Sequence, residues 1–218
     1  YEKIDYRLFK YALLLHLEFE SVRDWDIDQI TNISFSYYTG SQELAYLYSL
    51  IKSDSIELQS NGSPVRTVGF FLETTFHYYV YESIINELLN KGINCHLVIN
   101  DYFQEHSETS YMYDDLMEFL QNLDRNDIDA YTVSMIMKNH FKYDCMVSCY
   151  YSNWLNEIAY KQVRVMYGLA KDTWNFAWWN VFYDKILCYG RYDYNRLNIY
   201  NNCVIVGNPK FDKWFKNK

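Results

Sequence analysis

Short apolar runs and longer amphipathic segments alternate along the C-terminal part of the chain. The run Val65–Leu72 is apolar almost throughout, which is typical of a parallel strand buried on both faces. A helix is predicted next, because apolar residues recur at helical spacing from Val80 to Leu89 and Gly92 supplies a C-terminal cap. The run Cys95–Ile99 then begins 30 residues after the first, a separation that fits a strand–helix–strand crossover.

The same rhythm continues to the end of the chain, with a helix from Met112 to Leu123 and a shorter one around Ser134–Phe141. This order predicts an α/β fold, a Rossmann-like three-layer domain whose mostly parallel sheet has helices on both faces. Ligands of such sheets bind at the carboxyl ends of the strands. Five further strands are predicted, at Ala130–Val133, Cys145–Tyr151, Val163–Tyr167, Lys185–Tyr189 and Cys203–Val206.

The first 62 residues differ from the rest, because they contain helical stripes and no strand pattern. We interpret residues 1–62 as a helical N-terminal extension packed on the domain, and residues 63–218 as the Rossmann-like domain. The turn Asn61–Pro64 is the clearest break between them. The longest apolar run, Tyr11–Leu17, is too short to span a bilayer.

Charge and composition narrow the possible partners. The formal net charge is −8, and Lys and Arg cluster only near the end, from Lys210 to Lys218, so a nucleic-acid partner is disfavoured. Aromatic residues make up 20% of the chain, which is compatible with core packing or with a surface that stacks on sugars. The segment Trp174–Trp179 has the same alternatives, since it could pack in the core, stack on a sugar or lipid-linked acceptor, or cover another domain.

The five cysteines form no CxxC pair, and no histidine completes a zinc-binding spacing. They lie in apolar, strand-like runs, which indicates buried free thiols in a reducing cytoplasm. We therefore expect a cytoplasmic protein with neither a bound metal nor an organic cofactor.

The known phosphate-binding and nucleophile motifs, GxGxxG, GxxxxGK[ST] and GxSxG, are absent. The densest polar cluster at a strand end is the loop that follows Leu72. In it Glu73 is a candidate general base, and His77 a candidate for proton transfer. Thr74 and Thr75, with the free N–H groups of the helix start, could hold an anion. The alternative is a capped helix that carries an exposed histidine.

Three later strands end in glycine-containing turns. The first ends at Tyr167-Gly168 with Lys171 nearby, the second begins at Tyr183-Asp184 and ends at Tyr189-Gly190, and the third ends at Gly207-Asn208-Pro209-Lys210-Phe211-Asp212. As an ordered set, these motifs resemble CDP-glycerol glycerophosphotransferases and other GT-B enzymes, including UDP-N-acetylglucosamine 2-epimerase-like ones. The resemblance covers residues 65–215.

The resemblance implies the N-terminal, acceptor-binding half of a GT-B glycosyl- or glycerophosphotransferase for a surface polysaccharide or teichoic-acid-like polymer. A nucleotide-activated sugar or polyol donor would bind mainly to a C-terminal domain outside this chain, and the acceptor would be a glycan or a lipid-linked one. Lys171 and Lys210 would offset phosphate charge, and Tyr167, Gly168 and Asn208 would contribute to substrate binding. The lipid-linked acceptor would bring the protein to the inner face of the membrane.

Two departures from the family pattern leave alternatives open. Tyr167 stands where the family has a histidine that looks like the catalytic base, and a phenol with a pKa near 10 is a poor base at pH 7. Lys210 replaces an arginine, which keeps the charge but loses the bidentate fork. Catalysis would then depend on Glu73 or His77. The alternatives are a non-catalytic Rossmann-like module that binds a glycan or a protein, and a sugar-nucleotide epimerase-like half.

Overall fold

The computed structural model describes residues 64–152, 154–168, 175–176, 180, 183–198 and 203–216. Within these ranges seven strands form one parallel sheet, flanked by helices. The strands are β1 (Thr67–Leu72), β2 (Asn94–Ile99), β3 (Asp129–Thr132), β4 (Tyr143–Ser148), β5 (Ala159–Val165), β6 (Lys185–Cys188) and β7 (Cys203–Ile205). The helices are α1 (Thr75–Asn90), α2 (Ser110–Gln121), α3 (Val133–Lys138), α4 (Leu155–Ile158), α5 (Arg191–Leu197) and α6 (Asp212–Lys216).

The strand order is β3-β2-β1-β4-β5-β6-β7, and every neighbouring pair is parallel. This is the doubly wound arrangement of a Rossmann-like domain, so the predicted fold class is confirmed. Two apolar clusters sandwich the sheet. One joins the sheet to α1 and α2 through residues such as Phe70 and Tyr81, and the other joins it to α3 and α4 through residues such as Phe71 and Ile136.

Helix α1 ends as predicted. The N–H groups of Gly92 and Ile93 donate to the carbonyls of Leu89 and Leu88, at 2.9 and 3.0 Å, and Gly92 has a φ of +74°. This pair of bonds is the Schellman motif, in which a left-handed residue closes the last turn. The motif turns the chain directly into β2, so α1 lies against the sheet between β1 and β2.

Several element boundaries differ from the predicted ones. β1 starts at Thr67 rather than Val65, because residues 64–66 are exposed. β3 and β4 begin one and two residues earlier than predicted, and β4, β6 and β7 end before their last predicted residues. β5 is displaced most, to Ala159–Val165, because Gln162 and Arg164 are polar yet buried within it.

Candidate functional site

The order in which the chain adds strands to the sheet reverses between β1 and β4, which are neighbouring parallel strands. The chain leaves β1 toward β2 on one side, and leaves β4 toward β5 on the other. The two loops therefore diverge and open a crevice at the carboxyl ends of these strands, which is the place where doubly wound proteins bind their ligands. Glu73 and Thr74 follow β1 there, and Cys149 to Ser152 follow β4.

Glu73 is the most unusual ionisable group of this crevice. The residue is half-buried, but its carboxyl group is enclosed by protein atoms, and this burial raises its pKa to about 7. A hydrogen bond from the Asn100 side chain offsets the effect only in part. Asn100 is held in place by its own backbone, because its N–H donates to the Leu72 carbonyl at 3.1 Å. The carboxyl group therefore changes its charge near neutral pH.

The neighbours of Glu73 behave differently. The Tyr81 hydroxyl donates to Cys149 Sγ at 3.2 Å, and both residues are fully buried. Burial raises the pKa of the Cys149 thiol to about 12 and that of the Tyr81 phenol well above its ordinary value. Both groups keep their protons at neutral pH, so Cys149 is not an activated nucleophile.

Two buried oxygen atoms beside Glu73, Thr74 Oγ1 and Asn100 Oδ1, have no hydrogen-bond partner among the described residues. Asn100 is 5% exposed. Thr74 occupies the N-cap position of α1, as predicted, but its hydroxyl makes no capping hydrogen bond, and Thr75 is the first residue of the helix. Buried polar atoms are normally satisfied in proteins, so these two oxygens mark a place where a bound hydroxyl could complete the hydrogen bonding.

His77 faces inward and supports the loop. Its Nδ1 accepts the backbone N–H of Glu73 at 3.2 Å, and the residue is 1% exposed. Its ring packs against Tyr150 and Tyr167, with ring centroids 5.7 and 5.3 Å away. The alternative of an exposed histidine is therefore wrong, because the ring fills the space between the ends of β1, β4 and β5. A role of His77 in proton transfer stays a prediction.

Tyr167 and Lys210 meet on Phe76, in the first turn of α1. The rings of Tyr167 and Phe76 are 4.9 Å apart at 67°, and Lys210 Nζ lies 3.9 Å from the Phe76 ring centroid. Burial raises the pKa of the Tyr167 phenol, which makes it a still weaker base than a free tyrosine. The fold thus places the predicted residues Tyr167 and Lys210 against the first turn of α1, which follows Glu73 and Thr74 in the chain.

Asn208 and Gly168 have structural roles that the motifs did not reveal. Asn208 Oδ1 accepts the N–H of Lys210 at 3.2 Å and so caps a 3-10 helix over Pro209–Phe211. The preceding Gly207 has a φ of +81°, which a residue with a side chain rarely adopts. At Gly168, by contrast, an added Cβ would meet no atom of the described residues within 4 Å, and its carbonyl accepts Asn175 Nδ2 at 2.5 Å.

Arg164 was not among the predicted site residues, although a lone arginine in an apolar strand was a visible signal. It is fully buried near the end of β5. Its guanidinium donates to the carbonyls of Cys149 and Asn175, at 3.3 and 2.6 Å, and to Asn180 Oδ1. These bonds connect the end of β4 to the chain that follows Gly168, so Arg164 shapes one wall of the crevice.

The remaining predictions meet the limits of the described residues. Lys171, the N-terminal segment 1–62 and most of the segment Trp174–Trp179 lie outside them. In the part of the chain that is described, no group of three or more His, Cys, Asp or Glu side chains could hold a metal ion. No helix among the same residues is long and apolar enough to cross a bilayer.

Comparison with known proteins adds no assignment: no protein-family model matches the sequence, and no curated protein is similar to it. The fold and the crevice are therefore the basis for assigning a function.

Proposed function

We propose that this chain is the N-terminal, acceptor-binding half of a GT-B type glycosyl- or glycerophosphotransferase. The enzyme would act in the cytoplasm, at the inner face of the membrane, in the synthesis of a surface polysaccharide or teichoic-acid-like polymer. The observation that carries the proposal is the Glu73 carboxyl, which has a pKa of about 7 and lies at the end of β1, where the strand order reverses.

In the proposed reaction an acceptor hydroxyl displaces a nucleoside phosphate from the activated donor. A general base works best when its pKa is close to the working pH, and Glu73 meets this condition through burial. The hydroxyl would donate its proton to Glu73, while neighbouring hydroxyls of the acceptor would bond to Asn100 Oδ1 and Thr74 Oγ1. A polyol or sugar suits these atoms, since each of its hydroxyls both donates and accepts.

The cation near the crevice supports the same chemistry. Lys210 lies over the ring of Phe76, three residues after Glu73 in the chain, and could offset the charge of the phosphate that leaves. The proposal gives Lys171 the same role. The exposed faces of Phe76 and Tyr167, both half-buried, would contact the acceptor ring.

The test is transfer activity of the native protein that contains residues 1–218, with CDP-glycerol or a UDP-sugar as donor. We expect Glu73→Gln to lower the transfer rate about 10²–10⁴-fold, because the variant lacks the base. The rate of the unmodified protein should rise with pH through an apparent pKa near 7.

Glu87→Gln is the matched control, because Glu87 is an exposed carboxylate on α1, the helix that follows Glu73, and pairs with Lys91. Its rate should stay within about twofold of the unmodified protein. Equal rates for Glu73→Gln and Glu87→Gln would exclude Glu73 as the base. Turnover of the donor by residues 1–218 alone would exclude the half-enzyme assignment.

The raised pKa of Tyr167 favours a second candidate, a non-catalytic module that binds a glycan or a protein. In this case the hydroxyl-binding atoms would hold a glycan without any nucleotide. Binding of a glycan to residues 1–218, with equal affinity for Glu73→Gln and the unmodified chain and with no transfer by the native protein, is the result that supports it.

A further inference from the structure

A second cavity lies on the opposite face of the sheet from α1, away from the crevice. Its volume is 240 Å³, and it is lined by residues of β2, β3 and α3 and of the segment that leads from α3 into β4. Drug-sized ligands occupy cavities of about 300–1,000 Å³, so this space suits a smaller molecule. None of its lining residues belongs to the candidate site.

Four rings form the walls: His96, Tyr131, Phe141 and Tyr143. His96 is 5.0 Å from Tyr131 at 68° and 5.7 Å from Tyr143 at 76°. Phe141 is 4.8 Å from Tyr143 at 85°. These are edge-to-face contacts, so the four rings pack against one another and together line one side of the cavity. We call these four residues the aromatic cage.

The cage is fixed in place by its surroundings. Tyr143 is fully buried, and its hydroxyl lies 3.2 Å from His96 Nδ1. Tyr143 therefore supports His96 from within the core, and the rings with surface that a ligand could reach are those of His96, Tyr131 and Phe141.

The electrostatics of the cage favour a cation. Burial lowers the pKa of His96, and the nearby Asp129 carboxylate opposes this effect only in part, so the imidazole is neutral at pH 7. The Tyr131 hydroxyl donates to Asp129 Oδ2 at 3.5 Å, which brings an exposed carboxylate to the rim. As far as the described residues go, no lysine or arginine lines the cavity. Two lysines adjoin lining residues in the sequence, Lys138 and Lys142, and Lys142 has its Nζ 4.8 Å from the ring of Tyr160.

We propose that the aromatic cage binds a small organic cation of the quaternary ammonium class. The faces of aromatic rings attract cations, and a methylated ammonium loses less hydration on entering such a site than a primary one. The two remaining lining side chains with apolar surface, Met135 and Ile136, suit the methyl groups. The net charge of −8 adds a long-range attraction for cations.

The test compares two probes of the same shape by calorimetric titration of the full chain at pH 7. Choline carries the charge, and 3,3-dimethylbutan-1-ol has the same shape without it. We expect choline to bind about tenfold more tightly, since the difference between the two is the interaction of the cation with the rings. Equal binding of both probes would overturn the assignment of a cation, and binding of neither would overturn the site.

Variants locate the binding. Phe141→Leu should weaken choline binding about fivefold or more while the binding of the neutral probe changes less, because a leucine has no π face. Tyr160→Leu is the control, since Tyr160 is an exposed ring that interacts with Lys142 outside the cavity. Equal losses in both variants would place the site elsewhere. Choline binding should be unchanged in Glu73→Gln, so this inference and the proposed function succeed or fail separately.

Discussion

Two ionisable groups are buried at the same edge of the sheet, Glu73 after β1 and Arg164 near the end of β5, and they differ in how many hydrogen bonds they make. Burial lowers the pKa of Arg164, but its N–H groups donate to two carbonyls and to an amide oxygen, so hydrogen bonds support its charge. Glu73 receives a bond from Asn100 that does not offset the burial, and its pKa rises to about 7. Within the described part of the chain, two buried oxygens beside it also have no hydrogen-bond partner.

The difference separates structure from function at this edge. A buried charge with a full set of hydrogen bonds holds elements together, and its removal leaves other polar groups unsatisfied. A buried carboxyl with too few bonds destabilises the folded state at neutral pH, and such a cost is typical of a residue kept for its chemistry. The comparison predicts that neutral replacements will act in opposite directions at the two positions.

The largest effect is expected for Arg164→Met, which preserves much of the volume and removes every N–H donor. The carbonyls of Cys149 and Asn175 and the side chain of Asn180 would lose their donor in a site that excludes water. We expect a loss of about 3–5 kcal/mol in the free energy of unfolding, measured by urea denaturation. Arg191→Met, at an exposed position of α5, should change it by less than about 0.5 kcal/mol.

A loss below about 1 kcal/mol for Arg164→Met would mean that water replaces the guanidinium, and the structural role assigned to Arg164 would then be wrong. The site would have to be open enough for water to reach the end of β5.

Glu73→Gln should raise the free energy of unfolding instead of lowering it, and only at high pH. The pKa of Glu73 is higher in the folded than in the unfolded chain, so the folded state binds more protons between pH 4.5 and 7 and loses stability as the pH rises through this window. One pKa unit corresponds to about 1.4 kcal/mol, and since the residue is half-buried we expect the variant to be about 1–3 kcal/mol more stable than the unmodified chain at pH 8.

The measurement is urea denaturation of both proteins at pH 4 and pH 8, because comparing the two cancels the groups they share. Glu87→Gln, at an exposed carboxylate of α1, should show no such pH-dependent difference. A Glu73→Gln protein that is less stable than the unmodified chain at pH 8 would contradict the raised pKa.

The sequence was sufficient to predict the fold, because buried parallel strands are apolar runs and their helices have a helical period. Glu73 could also be predicted as a site residue, since it directly follows such a run. Its partner Asn100 could not, because it follows a different strand, and only the pairing of β1 with β2 brings the two residues together. The same holds for Lys210, which contacts Phe76 although the two residues lie at opposite ends of the domain's sequence.

β5 shows why the boundaries were harder to predict. Gln162 and Arg164 interrupt the apolar pattern, so the predicted strand began only at Val163. Both side chains are buried because they bond to the backbone, Gln162 to the Leu155 carbonyl at 2.8 Å and Arg164 to that of Cys149. Such bonds join residues far apart in the loops, and a pattern of apolar positions carries no information about them.

The smallest expected effect concerns two glycines of the strand-end motifs. Gly207→Ala should lower the free energy of unfolding by about 1–2 kcal/mol, because alanine is strained at a φ of +81°. Gly168→Ala should leave it unchanged or raise it by up to about 1 kcal/mol, because an added Cβ meets none of the described residues and the unfolded chain loses freedom. Urea denaturation of the two variants, measured side by side, tests the difference. A normal stability for Gly168→Ala with a reduced affinity for the acceptor would assign that glycine to the binding surface, since the space beside it would then belong to the ligand.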